Sequence, residues 1–315
     1  MSRIYEALRK AQEQGATSVP MEQGATSVHM EQAQRPQSLI RQGVRGDRAG
    51  QRSPEFLSPV GPEGAPPASC YLRLDELRQR CAKPGWKLNP EYAVFFSGQT
   101  FDRCAEQFRT LRSRLYRLRE KKSIRTLLIT STLSKEGKSF VALNLAQAIA
   151  RQHERRALLI DADLRAPSLH VRMGAPSAPG LTDYLAGEAD EFSIIQTDAK
   201  EDLFFIPVGR SVSNPTELLS NNRLRSLLGR LAPVFEWIIV DAPPVLPVSD
   251  ASVLAGMCDG VIFVIRAGTT AFDLAQTACQ EFRENNLLGA VLNGVDEEAM
   301  YGAYSYYAGN GLDKR

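Results

Sequence analysis

The chain lacks three features that would place it in a membrane or outside the cell. No apolar run approaches the roughly 20 residues needed to cross a bilayer. The first residues contain no apolar core of a signal peptide. The five cysteines are odd in number and lack the spacing of a zinc site or a disulfide framework. We therefore expect reduced thiols and a cytoplasmic protein.

The chain also lacks a strong overall charge, with a formal net charge of +2 over 315 residues. That balance conceals a basic stretch at residues 109–125, in which Glu120 is the single acid. Such a stretch suits an anionic membrane surface or an acidic partner, and a solvated helix face explains it equally well. No reading helix or base-stacking motif accompanies the charge, so we expect no nucleic acid partner.

Composition divides the chain into five segments. Residues 1–14 predict a short amphipathic helix. Residues 15–68 are rich in Gly, Pro, Ser and Gln and contain the tandem repeat EQGATSVPM/EQGATSVHM, which predicts a disordered linker. Residues 69–101 form a pre-core segment with mixed signals and no evident function. Residues 102–296 are expected to form the folded domain, and residues 297–315 form a tyrosine-rich tail.

Within the expected domain, buried-strand patterns alternate with helical ones. Strands are expected at residues 126–130, 157–160, 203–208, 237–240, 261–265 and 290–295, and helices at 102–120, 215–232 and 270–285. Strands that alternate with helices form parallel βαβ units. The prediction is an α/β fold, with a mostly parallel sheet flanked by helices in three layers.

The most informative stretch is residues 125–139, RTLLITSTLSKEGKS, in which a buried strand ends in a loop that closes on a helix. The N–H groups of such a loop and the positive end of the helix dipole point at a phosphate. Lys138 can then reach the β- and γ-phosphates, and the Ser139 hydroxyl can ligate Mg²⁺. This P-loop predicts a nucleoside triphosphate site formed by Ser134, Lys135, Glu136, Gly137, Lys138, Ser139 and Phe140. Because Thr132 replaces the first glycine of the G-x-x-x-x-G-K-[ST] pattern, a chance GKS at a strand–helix junction is the alternative.

Carboxylates follow two of the expected strands. Asp161 and Asp163 follow ALLI, and Asp241 follows WIIV. An open parallel sheet binds ligands at the carboxyl ends of its strands, where Mg²⁺ is held by few carboxylates and by phosphates. We therefore expect a magnesium site there. For each acid taken singly, a cap on the next helix is the alternative.

The tail contains four tyrosines within seven residues, which are Tyr301, Tyr304, Tyr306 and Tyr307. The Gly, Ala, Ser and Asn residues around them make a poor strand and a poor helix. One interpretation is an accessible tail that offers phenol hydroxyls as phosphoryl acceptors. The alternative is an edge strand or a packing tail.

As a set, these motifs resemble the bacterial tyrosine kinases of polysaccharide export, the cytoplasmic autokinase group of exopolysaccharide and capsule biosynthesis. The resemblance covers about residues 100–310 and rests on TSTLSKEGKS, LLIDADLRAP and IIVDAPPV, with weaker echoes in GLTDYLAG, NPTELLS and VLNGVD. It implies a P-loop kinase that uses ATP and Mg²⁺, with Lys138 on the phosphates and Ser139 and Asp241 positioning the metal. Of Asp161 and Asp163, one would assist Mg²⁺ and the other would accept the phenol proton. The sequence does not say which.

The resemblance also implies partners. Glu106, Arg109 and Arg112 lie three residues apart on one expected helix, a pattern that mediates ring-like self-association in the family. An intrahelical salt bridge is the alternative. The family's tail tyrosines are phosphorylated by a neighbouring subunit. The activating transmembrane adaptor, a polysaccharide co-polymerase, would here be a separate polypeptide that recruits the chain to the inner face of the plasma membrane.

The P-loop departs from its relatives at two places. Leu133 stands where the partition and cell-division ATPases carry a signature lysine, which disfavours that group. The kinase loop usually reads Pro-Gly-Glu-Gly-Lys, whereas Ser134 and Lys135 precede Glu136 here. A Cβ at position 135 stands where the backbone needs an unusual conformation, and the lysine adds charge beside the phosphates. Two alternative functions remain open. One is a membrane-recruited ATPase of the partition or cell-division type, and the other, which Lys135 favours, is a catalytically silent nucleotide-binding regulatory subunit.

Overall fold

The computed structural model describes residues 72–95, 103–198, 202–282 and 287–295. Helices and strands alternate along this part of the chain. In chain order they are α1 (Leu74–Arg80), α2 (Arg103–Arg119), β1 (Thr126–Ser131), α3 (Lys138–Ala150), β2 (Ala157–Asp161), α4 (Leu169–Met173), α5 (Leu181–Ala186), α6 (Glu191–Ile194), β3 (Gln196–Thr197), β4 (Leu203–Ile206), α7 (Pro215–Leu219), α8 (Asn222–Leu231), β5 (Trp237–Asp241), α9 (Asp250–Ala255), β6 (Gly260–Arg266), α10 (Phe272–Gln280) and β7 (Leu287–Asn293).

The strands form one seven-stranded sheet in the order β3-β4-β2-β5-β1-β6-β7. All neighbouring pairs are parallel except β3 and β4. Parallel strands end at the same side of a sheet, so Ser131, Asp161 and Asp241 share one side. We call this side the carboxyl edge and the opposite side the amino edge.

The sheet is buried on both faces. Leu128 of β1 packs in an apolar cluster with residues of α8 and α9, whereas Leu127 and Ile129 pack with α2 and α3 on the other face. Nearly every residue of α3 is buried, as expected for a helix that is apolar all round. The predicted three-layer α/β fold with a mostly parallel sheet is confirmed.

The predicted elements differ from the observed ones mainly at their ends. The helix expected at 215–232 is two helices, because the N-cap Asn221 starts α8 by accepting a hydrogen bond from the N–H of Arg223. The helix expected at 270–285 ends at Gln280. The edge strand β3, two residues long, was not predicted. None of the helices in the described residues is both long and apolar enough to cross a bilayer.

Residues 82–95, part of the segment without an evident function in the sequence, form a strap across the domain. At its start, Ala82 forms a parallel bridge with Gln196 of β3. At its end, the Val94 N–H donates to Asn144 Oδ1 of α3 at 2.8 Å, and Asn144 Nδ2 donates to the carbonyl of Tyr92. Asn144 is fully buried, so the strap satisfies a polar group inside the core.

The segments predicted at residues 1–14, 15–68 and 297–315 lie outside the described residues. Their assignments remain predictions.

Candidate nucleotide site

The P-loop connects β1 to α3 and closes on Gly137. Gly137 has a φ of 97°, in the left-handed region that favours glycine. A Cβ at this position would lie 1.9 Å from Asn293 Nδ2. That same Nδ2 atom donates to the Glu136 carbonyl at 2.9 Å, so the end of β7 is fitted against the glycine. The backbone conformation favours glycine here, and a Cβ would displace the Asn293 amide from the Glu136 carbonyl.

Glu136 is buried and holds the loop in its turn. Its Oε2 accepts a hydrogen bond from the Leu133 N–H at 2.9 Å, and its Oε1 accepts one from the Thr270 hydroxyl. Glu136 therefore stabilises the conformation of the P-loop through these two hydrogen bonds. Thr270 and Asn293 were missed by sequence reasoning. The VLNGVD motif pointed towards Asn293, whereas Thr270 carries no signal.

The exposed part of the loop contains the two residues that depart from the kinase pattern. Lys135 has a φ of 69°, so a non-glycine residue occupies the left-handed region. The special backbone conformation expected at position 135 is confirmed. The loop still closes, with Ser134 and Lys135 exposed to solvent.

Lys138 opens α3 and is enclosed by carboxylates. Its Nζ lies 2.8 Å from Asp163 Oδ2, 3.5 Å from Asp241 Oδ1 and 3.2 Å from Ser139 Oγ. Burial alone would lower the pKa of Lys138, but the charges of Asp241 and Asp163 outweigh it and raise that pKa. The ammonium group is therefore held charged among the carboxylates.

Asp161 and Asp241 lie side by side at the carboxyl edge, because β2 and β5 pair in a register that aligns them. Both are fully buried. Burial and the neighbouring charge of Asp241 raise the pKa of Asp161 to about 8. Burial also raises the pKa of Asp241, against the opposing charge of Lys138.

The cap interpretation holds for part of this acid cluster. Asp161 Oδ2 accepts a hydrogen bond from the Leu169 N–H at the start of α4, and Asp163 Oδ1 accepts one from the Ala166 N–H. The other oxygen of Asp163 is the one beside Lys138. Asp161 and Asp163 therefore support the following backbone and still face the site. Asp241 makes no such cap within the described structure.

The buried oxygens of this cluster fit a magnesium ion. Asp161 Oδ1 and Asp241 Oδ2 have no hydrogen-bond partner among the described residues, and Asp241 Oδ1 has only the longer ion pair with Lys138 at 3.5 Å. Buried polar atoms normally have partners, so these three mark a place for a ligand. No set of three or more His, Cys, Asp or Glu side chains in the described residues is arranged to hold a metal ion by itself. The three oxygens suit instead a Mg²⁺ ion that keeps several waters and is shared with phosphates.

A second ion pair supports the loop after β2. Arg165 Nε donates to Asp250 Oδ2 at 2.8 Å, and Arg165 Nη2 donates to Thr216 Oγ1 at 3.0 Å. Asp250 is fully buried at the start of α9. Sequence reasoning missed this triad, although Arg165 and Thr216 lie inside the quoted motifs LLIDADLRAP and NPTELLS. The triad fixes the residue two positions after Asp163.

Two further groups of predicted residues have clear positions. The Phe140 ring packs against Phe108 of α2 with centroids 5.8 Å apart, so its side chain belongs to the core. Glu106 and Arg109 form an ion pair within α2, as in the intrahelical alternative. Arg112 Nη1 donates to the Ala148 carbonyl of α3 at 2.5 Å and is half-buried. The four tail tyrosines lie outside the described residues.

Comparison with known proteins places this site in context. Residues 127–306 match the model of a nucleotide-binding family, described as the CobQ/CobB/MinD/ParA nucleotide binding domain. The chain is similar to tyrosine-protein kinase YwqD of Bacillus subtilis (strain 168), with 33% identity over 205 residues that cover 64% of this chain and 86% of that protein. It is also similar to tyrosine-protein kinase CpsD of Streptococcus agalactiae, with 36% identity over 190 residues that cover 59% of this chain and 82% of that protein.

The chain is also similar to a solved structure of a tyrosine kinase domain. The kinase domain of Escherichia coli tyrosine kinase ETK superimposes with a TM-score of 0.59 and 34% sequence identity. The match covers 61% of this chain and 76% of that domain.

Proposed function

The chain belongs to the bacterial protein-tyrosine kinases of the CobQ/CobB/MinD/ParA nucleotide-binding family, and from this premise we propose that it is an ATP-dependent autokinase that phosphorylates its own C-terminal tyrosines. The observation that carries the proposal is the placement of Lys138. A buried ammonium lies at the start of α3, 2.8 Å from a carboxylate that follows β2. A triphosphate bound by the P-loop would form an ion pair with the Lys138 ammonium and leave the Asp163 carboxylate free.

In this proposal ATP binds along the P-loop. The loop N–H groups and the N-terminus of α3 receive the phosphates. Lys138 neutralises charge on the β- and γ-phosphates. Glu136 keeps the loop closed through Leu133 and Thr270.

Ser139 and Asp241 are the residues that would position Mg²⁺, with Asp161 beside them. The buried carboxylate oxygens of Asp161 and Asp241 that lack a hydrogen-bond partner support this assignment. The ion would neutralise part of the charge on the phosphates. The pairing of β2 with β5 aligns Asp161 with Asp241, which places the unpartnered Oδ1 of Asp161 beside the other acid of the proposed metal site.

Asp163 is then the candidate base. In the reaction the phenol oxygen attacks the γ-phosphorus, the bond to the β–γ bridging oxygen breaks, and the phenol proton passes to a carboxylate. Asp163 Oδ2 becomes available for that proton when Lys138 turns to the phosphates. Its other oxygen stays on the Ala166 N–H and keeps the group in place.

The acceptors we propose are Tyr301, Tyr304, Tyr306 and Tyr307, offered by a neighbouring subunit in a ring-like homo-oligomer. The resemblance of the tail to those of the polysaccharide-export kinases supports this assignment. It also supports a role in regulating polysaccharide polymerisation and export. A separate transmembrane co-polymerase would hold the kinase at the inner face of the plasma membrane.

Replacing the four tail tyrosines with phenylalanine tests the proposal, because this change keeps the aromatic area and removes only the hydroxyls. The full chain is incubated with Mg²⁺ and ATP, and phosphotyrosine is mapped by mass spectrometry. We expect phosphate on the wild-type tail and none on the phenylalanine variant, which should still bind ATP. Lys138→Ala serves as the inactive control with an intact tail.

Three outcomes would assign a different function. ADP formation without phosphotyrosine indicates a membrane-recruited ATPase. ATP binding without any turnover indicates a silent nucleotide-binding subunit. Phosphotyrosine that persists unchanged in the phenylalanine variant places the acceptor elsewhere in the chain.

A further inference from the structure

The amino edge of the sheet carries a surface of cations, which we call the basic pole. α2 and α3 both end there, and Arg119 Nη1 lies 2.6 Å from Oε1 of Glu236, the residue before β5. The basic pole comprises the charged residues at the ends of α2 and α3 and at the starts of β1, β2, β5 and β6. Its cations are Arg114, Arg117, Arg119, Lys121, Lys122, Arg125, Arg151, Arg155 and Arg156, and its carboxylates are Glu120, Glu154, Glu236 and Asp259.

The basic pole is more positive than the chain as a whole. Its nine cations and four carboxylates leave a formal charge of +5, whereas the whole chain carries +2. All residues outside the basic pole therefore sum to −3. The pole is therefore a local concentration of positive charge.

Two of the four carboxylates are already engaged within the fold. Glu236 accepts from Arg119 at 2.6 Å and from Arg155 at 2.9 Å. Asp259 Oδ2 accepts from the N–H groups of Arg125 and Thr126, both at 2.8 Å. These bonds fix the amino edge of the sheet.

Three cations form the outer part of the basic pole. Arg117, Lys121 and Lys122 are exposed and make no ion pair with another described residue. They lie on the last turn of α2 and the turn that follows it, which brings their long flexible side chains to one end of the domain.

The chemistry of the basic pole suits a lipid surface better than a protein partner. The exposed large apolar residues of the described structure are Leu133, Val171, Leu274 and Leu292, and none belongs to the pole. Protein interfaces are centred on buried apolar and aromatic contacts, which this surface does not offer. Mobile cations without an apolar anchor match the phosphates of a fluid anionic bilayer.

We propose that the basic pole binds anionic phospholipid directly. Since the strands run from the amino edge to the carboxyl edge, a chain docked in this way turns the nucleotide site away from the bilayer. A five-residue strand separates the two edges by about 17 Å. The P-loop and the acid cluster therefore stay in water, open to ATP and to an incoming tyrosine. This docking needs neither nucleotide nor phosphorylation, so it can fail or succeed independently of the kinase assignment.

Co-sedimentation of the full chain with vesicles tests the proposal. The vesicles are pure phosphatidylcholine or contain one third phosphatidylglycerol. The variant is Arg117→Gln with Lys121→Gln and Lys122→Gln. The matched control is Arg73→Gln with Lys83→Gln and Lys87→Gln, which removes the same three charges from exposed positions on the segment before α2.

We expect wild type and control to bind the anionic vesicles at low salt and to leave phosphatidylcholine in solution. Each cation removed from the pole should weaken vesicle binding about fivefold, or roughly a hundredfold for three. Binding should also fall steeply as salt rises. Both variants should keep the wild-type melting temperature and ATP affinity, which shows that the loss is local.

Three results would overturn the proposal. If the wild-type protein does not bind the anionic vesicles at low salt, the proposal is wrong. If the control variant loses vesicle binding to the same extent, binding depends on net charge and not on the basic pole. Retention on immobilised polyglutamate through Arg117, Lys121 and Lys122, without vesicle binding, makes an acidic protein the partner instead.

Discussion

At the scale of single residues, the site sets one buried ammonium against three buried carboxylates. Lys138 contacts Asp163 and Asp241, while Asp161 keeps one oxygen without a described partner. Buried charges are costly unless they are paired, and one lysine cannot pair with three acids. The raised pKa of Asp161 is the consequence, since burial and Asp241 both favour its protonated form. A divalent cation would relieve the same imbalance.

Replacing Lys138 with alanine should remove most of the affinity for ATP, because the point charge on the β- and γ-phosphates is lost. A hydrogen bond to a charged group contributes about 1.5–3 kcal/mol, so we expect weakening by at least about tenfold. Isothermal calorimetry with a non-hydrolysable analogue measures it. Lys135→Ala, an exposed lysine of the same loop, is the matched control and should retain far more affinity. Wild-type affinity in Lys138→Ala would mean that the P-loop assignment is wrong.

Asp161→Asn should flatten the dependence of stability on pH in the nucleotide-free protein. The folded chain keeps this carboxyl protonated up to about pH 8, while the unfolded chain releases the proton near the ordinary value of 3.8. Between these values the folded state holds the extra proton, so the free energy of unfolding falls as pH rises. The wild-type melting temperature should therefore drop from pH 5 to pH 8 in EDTA.

The asparagine variant should be relatively more stable than wild type towards pH 8. Scanning calorimetry gives both curves, with the exposed Asp273→Asn as a control that should follow wild type. Parallel curves for wild type and Asp161→Asn would show that Asp161 does not titrate in this range.

At the scale of elements, the P-loop is closed by parts of the chain that lie far apart in sequence. Glu136 bonds to Leu133 within the loop and to Thr270 before α10, and Asn293 at the end of β7 bonds to the Glu136 carbonyl. Two left-handed positions on either side of Glu136, Lys135 and Gly137, let the loop turn into α3. The loop tolerates a side chain at the first position because it is exposed, and not at the second, where Asn293 fills the space.

Substitutions at these two positions should therefore have opposite effects on stability. Lys135→Gly relieves a left-handed non-glycine residue and should stabilise the fold by up to about 1 kcal/mol. Gly137→Ala adds a Cβ against Asn293 and should destabilise it by about 1–3 kcal/mol. Urea unfolding at equilibrium measures both, with Lys135→Ala as the reference because alanine keeps the Cβ. A destabilised Lys135→Gly would show that its side chain supports the loop.

At the scale of the whole molecule, the ring-like assembly that we propose would use the outer side of α2. Glu106 and Arg109 pair with each other there, while Arg112 is bonded to the Ala148 carbonyl. The three residues are therefore not equivalent. Arg112 supports the packing of α2 on α3. The exposed Glu106 and the half-buried Arg109 form the ion pair that a neighbouring subunit could replace with its own charges.

Glu106→Ala should shift the protein towards smaller assemblies and leave the subunit intact. An exposed ion pair contributes only about 0–1 kcal/mol to folding, so the melting temperature should hardly change. Light scattering at moderate salt gives the mass distribution, with Glu120→Ala as a control that removes another exposed acid near the end of α2. Equal masses for wild type and Glu106→Ala would leave the Glu106–Arg109 pair as a purely local contact.

The sequence by itself determined the parts of this protein that depend on neighbours in the chain. Strand patterns that alternate with helical patterns along the chain predicted the parallel sheet. Both patterns are local, because a strand buried on both faces is a short apolar run and a helix repeats its apolar residues with a period of 3.6. The run from Thr126 to Ser139 predicted the strand, the phosphate loop and the helix for the same reason. The sequence also identified Asp161, Asp163 and Asp241, because acids at the ends of buried strands can be recognised without knowledge of the fold.

Tertiary structure decided what those residues contact. The register of β2 against β5 places Asp161 beside Asp241, and the packing of β7 and the turn before α10 brings Asn293 and Thr270 onto Glu136. These contacts join positions 80 to more than 150 residues apart. Helical spacing placed Arg112 with Glu106 and Arg109, but the crossing of α2 over α3 turned it to the Ala148 carbonyl. Local pattern fixes which face of an element is buried, whereas only packing fixes which partner covers it.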